Sequence, residues 1–122
     1  MEENLYLYKA HITKVYDGDT VTADIDLGFN MIMRDQKLRL IGIDAPEIRG
    51  EERPQGLVSR DRLSEIILNK DVYIVTHKDS KGKYGRWLAT IYALVNSPDT
   101  KEYVWLNCNQ LLINANLAEV YK

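Results

Sequence analysis

Cysteine is nearly absent from this 122-residue sequence, with Cys108 standing alone. A single thiol excludes an intrachain disulfide and a thiolate cluster for zinc. No activating group adjoins it, so a small, partly buried side chain is expected there. Histidine is almost as scarce: His11 and His77 are isolated and leave little from which to build a His-based triad. Long apolar runs are also missing. Stretches such as "IGI" and "EIIL" fall far short of a membrane span, and no contact with a membrane is expected. The first residues, "MEENLYLYKAH", carry neither the basic nor the apolar region of a secretory signal. A cytoplasmic location is therefore expected unless an export signal has been removed. A surplus of positive charge is lacking too. The net charge is −2 and the pI about 5.7, which argues against strong non-specific binding to nucleic acid. A local basic site touching one or two phosphates remains compatible with that balance.

What is present fits one domain over residues 1–122. Hydrophobic residues make up 45% and charged residues 28%, the balance of a globular chain long enough to bury a core without staples. Residues 5–16, "LYLYKAHITKVY", read as a strand, and "DGD" at 17–19 as a turn. "TVTADIDLG" alternates cleanly, with Val21, Ala23, Ile25 and Leu27 on one face, and completes a hairpin. A third strand opens at "MIM", is interrupted by "RDQK", and resumes in "LRLIGI". Pro54 sits where a first helical turn accepts it, followed by Leu63, Ile66 and Ile67 at helical spacing and a stop at Asn69–Lys70. "DVYIVTH" and "RWLATIYALV" are further strands, with "KDSKGKYG" as a basic turn between them. "NSPDTKEY" is a hairpin loop and "VWL" its return. The last segment reads as a helix with Leu111, Leu112 and Ala115 inward and Asn116 as its left-handed stop. The order β-β-β-α-β-β-α, mainly β with helices, is that of a five-stranded OB-type Greek-key barrel. A flat open α+β sheet has the same order.

Charged and polar residues gather at the ends of these elements: Asp17, Asp19, Arg39, Asp44, Glu47, Lys83, Tyr84 and Arg86. Carboxylates meeting at one point repel unless a cation lies among them, and oxygen-rich sites suit calcium or magnesium. Paired arginines hold a phosphate bidentately. A metal, a carboxylate base and two arginines together make a phosphodiester hydrolysis site. Each piece alone has a plainer meaning. "DGDT" is usually a turn, "KYGR" a basic surface turn, and Arg39 alone a structural ion pair. Strict alternation puts Arg39 and Asp44, five apart, on opposite faces of a strand. The strand must therefore bend or end near Gly42–Asp44 if both are to meet one phosphate.

Taken in order, "VYDGDTVTA" (15–23), "LRLIGIDAPE" (38–47), "DSKGKYGRWLATIY" (79–92) and "NQLLINANLAEV" (109–120) resemble the staphylococcal (thermonuclease-type) nuclease family. The resemblance implies an OB-fold barrel and calcium-dependent cleavage of DNA and RNA. It implies one calcium ion held by Asp19, Asp44 and the backbone carbonyl of Ala45, where the family often has threonine. Glu47 is implied as general base and Arg39 and Arg86 as phosphate-gripping arginines. Lys83 and Tyr84 are implied as contacts to substrate phosphates. Single-stranded nucleic acid is the preferred substrate on this reading, and a monomer is expected. The chain departs from the family's strongly basic secreted members in its acidic balance. It also has a short "IRGEER" loop after Glu47 and a longer 95–103 loop. Two other readings stand beside the nuclease: a non-catalytic OB module binding single-stranded nucleic acid or a protein, and barrel-end ion pairs around a structural calcium.

Overall fold

The computed structural model of the chain describes residues 6–81, 86–96 and 102–121, the side chains of 78–81 apart. β1 (Leu7–Asp17) and β2 (Thr20–Gly28) form the expected hairpin, and the alternation of β2 sends Val21, Ala23 and Ile25 into the core. β3 (Met31–Leu40) follows β2 antiparallel. Contrary to expectation, "RDQK" does not interrupt β3. It holds a bulge: the register passes from Ala23↔Gln36 to Ile25↔Met33, and the extra residue is absorbed at Asp35, where φ is 56°. Asp24 ties the bulge down by accepting from the Asp35 amide at 3.0 Å and from Arg34 Nη1 at 3.3 Å. These local bonds let one strand carry an extra residue without ending.

After Leu40 the chain turns through Gly42, at φ +82°, into the two-residue strand β4 (Ile43–Asp44). A 3-10 turn at Gly50–Glu52 leads into α1 (Arg53–Ile67), with Pro54 in its first turn. Asn69, at φ 59°, turns the chain into β5 (Asp71–Lys81), which extends beyond "DVYIVTH". Then come β6 (Trp87–Asn96), β7 (Tyr103–Asn107), α2 (Cys108–Asn114) and β8 (Glu119–Val120). The last helix is shorter than expected. Leu112 is buried and Asn116 takes the left-handed turn at φ 59°, but Ala115 is exposed because α2 has already ended. β8 pairs with β4 through Ile43↔Val120 and Asp44↔Glu119, a ladder too short to leave a sequence pattern.

β1 pairs with β2 and β5, β2 with β3, and β5 with β6; β6 then joins β3 in parallel through Leu38↔Trp87, Arg39↔Leu88 and Leu40↔Ala89. That last pairing closes a five-stranded barrel of the OB type and rules out the flat open sheet. β7 prolongs the sheet from the far half of β6. Ile12, Leu38, Leu40, Ile74 and Ile91 fill the core, with Leu63 and Ile67 of α1 and Leu112 of α2 in the same cluster. Each such side chain contributes about 1.5–3 kcal/mol on full burial. Cys108 is fully buried in this cluster, as a small apolar group, and burial pushes its thiol up to about 12. Among the described residues no helix is long and apolar enough to cross a membrane.

Candidate functional site

The closure of the barrel decides which element ends meet. Thr20 pairs with Arg39 across β2 and β3, and Arg39 pairs with Leu88 across β3 and β6. The β1–β2 turn, the end of β3 and the start of β6 therefore lie side by side.

Asp19 sits in this turn with only 8% of its side chain exposed. Such a carboxylate must be bonded on most sides. Its Oδ2 accepts from the Ala45 amide at 2.8 Å and lies 3.1 Å from Arg39 Nη1, and its Oδ1 accepts from the Thr20 hydroxyl at 3.1 Å. Thr20 Oγ1 in turn accepts from Arg86 Nη1 at 3.2 Å. The threonine hydroxyl thus links the second arginine to the buried aspartate. Arg39 is 15% exposed, and its Nη2 lies 3.7 Å from Asp44 Oδ1, beyond hydrogen-bond length. Its guanidinium stands between the two carboxylates, with the ring of Tyr121 5.8 Å from Cζ.

The strand geometry that sequence spacing demanded is present. β3 stops at Leu40, Gly42 turns the chain, and Asp44 comes back beside Arg39. The turn is tied from three sides. The Ile41 amide bonds to Ala89 O at 2.9 Å, the Tyr121 amide to Gly42 O at 2.9 Å, and buried Asn109 Nδ2 donates to Ile41 O at 2.9 Å. Asn109 also donates to Ala89 O and accepts from the Ile91 amide, so one buried amide holds β6 and the turn together.

Glu47 lies outside this network. It is exposed, in the irregular stretch after β4. Among the described residues no hydrogen bond or ion pair joins its carboxylate to Asp19, Arg39 or Asp44. Its charge acts on Arg49, whose Nη2 bonds to the Tyr16 hydroxyl at 2.6 Å. Its backbone is held more firmly. A Cβ on Gly56 would collide with the Glu47 carbonyl, so only glycine lets α1 approach this stretch. Gly18 does the same from the other side, where a Cβ would come 2.7 Å from that of Ala45 and 2.9 Å from that of Ser59. Lys83 and Tyr84 lie outside the described residues.

Asp17 completes the acidic side. Its Oδ1 accepts from the Asp19 amide at 3.1 Å, and its pKa is raised to about 6, first by burial and then by the Asp19 carboxylate. Two carboxylates this close favour a cation between or beside them. Among the described residues no group of three or more Asp, Glu, His or Cys side chains is poised around a metal. The donors that the resemblance implies are Asp19, Asp44 and the Ala45 carbonyl. All are hard oxygens, the chemistry that calcium or magnesium takes.

Sequence spacing named the charged residues but missed Thr20, Asn109, Gly56 and Tyr121. Thr20 stands next to Asp19 in "DGDT", and only the register that pairs it with Arg39 reveals its bridging role. Asn109 and Tyr121 reach the site by tertiary packing and left no local signal.

The family model described as staphylococcal nuclease homologue matches residues 37–122, a span that includes Arg39, Asp44, Glu47 and Arg86 but not Asp19. An uncharacterized protein of Methanocaldococcus jannaschii is 28% identical over 135 aligned residues, covering 93% of this chain and 59% of its own. Thermonucleases of Staphylococcus intermedius and Staphylococcus hyicus are 31% and 32% identical over 84 residues, 66% of this chain and 46% of theirs. The chain thus spans about half the length of the curated relatives it matches.

Proposed function

We propose that this chain, which belongs to the staphylococcal nuclease homologue family, hydrolyses phosphodiester bonds of single-stranded DNA or RNA with the help of calcium. The observation that carries this reading is the shared network of Asp19, Thr20, Arg39 and Arg86, with Asp44 at its open edge.

Arg39 and Arg86 grip the phosphate. The Nη2 of Arg39 is not hydrogen-bonded to Asp44 at 3.7 Å, so its donors are available to a phosphoryl oxygen. The buried bond to Asp19 fixes the plane of the guanidinium before substrate arrives, which spares reorganisation as charge develops. Arg86 is aimed by the Thr20 hydroxyl. Calcium held by Asp19, Asp44 and the Ala45 carbonyl would polarise the phosphoryl group and offset its negative charge. Glu47, exposed three residues after Asp44, takes the proton from the attacking water as the water oxygen bonds to phosphorus. By family analogy the bond from phosphorus to the 5′ oxygen then breaks. That oxygen gains a proton from solvent, leaving a 3′-phosphorylated end. Lys83 and Tyr84 are assigned to neighbouring substrate phosphates.

The test is digestion of single-stranded DNA and RNA in calcium and in chelator. Cleavage is expected only with calcium. Arg39→Ala or Arg86→Ala should lower the rate on the order of 10²–10³, and Glu47→Gln should abolish cleavage while the fold persists. Equal rates with and without calcium overturn the proposal. Tight binding without cleavage under any divalent ion would favour the non-catalytic module, a reading motivated by the net charge of −2.

A further inference from the structure

A groove of about 340 Å³ opens on the outer wall of the barrel beside Arg86, with Lys14, Thr22 and Lys37 along it and Tyr16 in its wall. The register explains the arrangement. Lys14 pairs with Thr22 across β1 and β2, and Thr22 pairs with Lys37 across β2 and β3. Two cations thus flank a hydroxyl in one row across three strands, next to the site that begins at Thr20.

Several observations separate this row from an ordinary solvated face. Lys14 and Lys37 take part in no ion pair among the described residues. The chain as a whole is acidic, so two unpaired lysines beside Arg86 make a local exception. Asp17 also lines the groove, at the end nearest the barrel mouth, but its Oδ1 is turned onto the Asp19 amide. Tyr16 is fixed by Arg49 at its hydroxyl, which leaves a held ring in the wall where a base can stack.

We propose that the Lys14–Thr22–Lys37 row binds the backbone phosphate next to the scissile one, making the groove the track for a single nucleic acid strand entering past Arg86. This rests on the nuclease reading of the site, and its test is arranged so that the two can fail separately. Binding of a fluorescent single-stranded dinucleotide, which has one phosphodiester, and of an octanucleotide is measured in chelator across a salt series. Cleavage of both is measured in calcium.

The Lys14→Gln/Lys37→Gln double variant should weaken octanucleotide binding and leave dinucleotide binding unchanged. Its salt slope for the octanucleotide should fall by about 0.7, the value for one single-strand phosphate contact. Thr22→Glu, which places a carboxylate between the lysines, should weaken the octanucleotide further. In calcium the double variant should raise KM for the octanucleotide and keep kcat. An unchanged salt slope, or an equal loss for the dinucleotide, overturns the groove. If wild-type protein cleaves neither substrate but the octanucleotide slope still falls, the groove stands and the nuclease reading fails. If cleavage proceeds and the slope does not move, the reverse holds. All three positions face solvent or are half-buried, so the variants are expected to fold; unchanged circular dichroism melting checks this.

Discussion

Strand β2 ends in two turns that share their local chemistry and differ in everything around them. At its start, Asp17 Oδ1 accepts from the amide two residues on, at Asp19; at its end, Asp26 Oδ1 accepts from the amide two residues on, at Gly28. Each turn contains a glycine, but for different reasons. Gly18 needs no left-handed backbone; it is glycine because Ala45 and Ser59 press against it at 2.7 and 2.9 Å from where a Cβ would be. A Cβ on Gly28 would meet nothing within 4 Å among the described residues; the position is glycine because the turn takes φ of 79°, followed by 55° at Phe29 and 62° at Asn30. One turn is enclosed by the loop after β4 and by α1. The other ends in Phe29, 97% exposed. Side chain–backbone bonding makes a turn in both places. Only enclosure turns the first into a site, by burying a carboxylate that must then be matched by Arg39, Thr20 and the Ala45 amide.

The largest expected break in this comparison is at the carboxylates. Asp19→Ala leaves Arg39 buried without its main partner and should cost about 3–5 kcal/mol in urea unfolding of metal-free protein. Asp26→Asn keeps an oxygen that can accept from the Gly28 amide and should stay within about 0.5 kcal/mol. Similar losses at both positions would mean that enclosure adds nothing to the first turn.

The glycines come next. Gly18→Ala should cost about 1–3 kcal/mol through overpacking against Ala45 and Ser59. Because Ala45 is bonded to Asp19, it should also depress cleavage. Gly18→Asn, being larger, should be worse on both counts. A Gly18→Asn variant that is better tolerated than Gly18→Ala would show that backbone conformation, rather than space, selects the glycine.

These two turns also show how far the sequence could be read. The hairpin, the barrel order and the charged residues were legible, because strand alternation and Asp-Gly turns are local. The expectation that the chain must turn near Gly42 followed from counting faces between Arg39 and Asp44, and φ of +82° at Gly42 meets it. The bulge at Asp35 read as an interruption, because a strand that carries an extra residue breaks the same alternation as a strand that ends. Thr20, Asn109 and Tyr121 were not legible as site residues. Their roles depend on the β3–β6 pairing and on the return of β8 to β4, contacts between segments far apart in sequence. The reason for Gly18 was likewise hidden: "DGD" announces a turn, while the pressure of Ala45 and Ser59 is set by the packing of α1.

At Gly28 the ranking of the same two substitutions should invert. Gly28→Ala forces an alanine into the left-handed region, at about 1–2 kcal/mol. Gly28→Asn should recover much of that, since asparagine visits this region more readily. Cleavage should be unchanged in both, because among the described residues nothing lies within 4 Å of where a Cβ on Gly28 would be. Thermal melts of the four glycine variants, compared as two pairs, read the inversion directly.

The smallest effect is expected at Phe29. An exposed aromatic at a hairpin tip invites the idea that it packs on something, yet it has lost almost none of its accessible surface, and Gly28 beside it has an open surround. Burial, at about 25 cal/mol for each Å² removed from water, is what gives an aromatic its stabilising weight, and here there is almost none. Phe29→Ser should therefore change stability by less than about 0.5 kcal/mol and leave cleavage of single-stranded DNA untouched. A loss above about 1 kcal/mol would mean that the tip is held by tertiary contacts after all. The two ends of β2 would then differ in degree of enclosure rather than in kind.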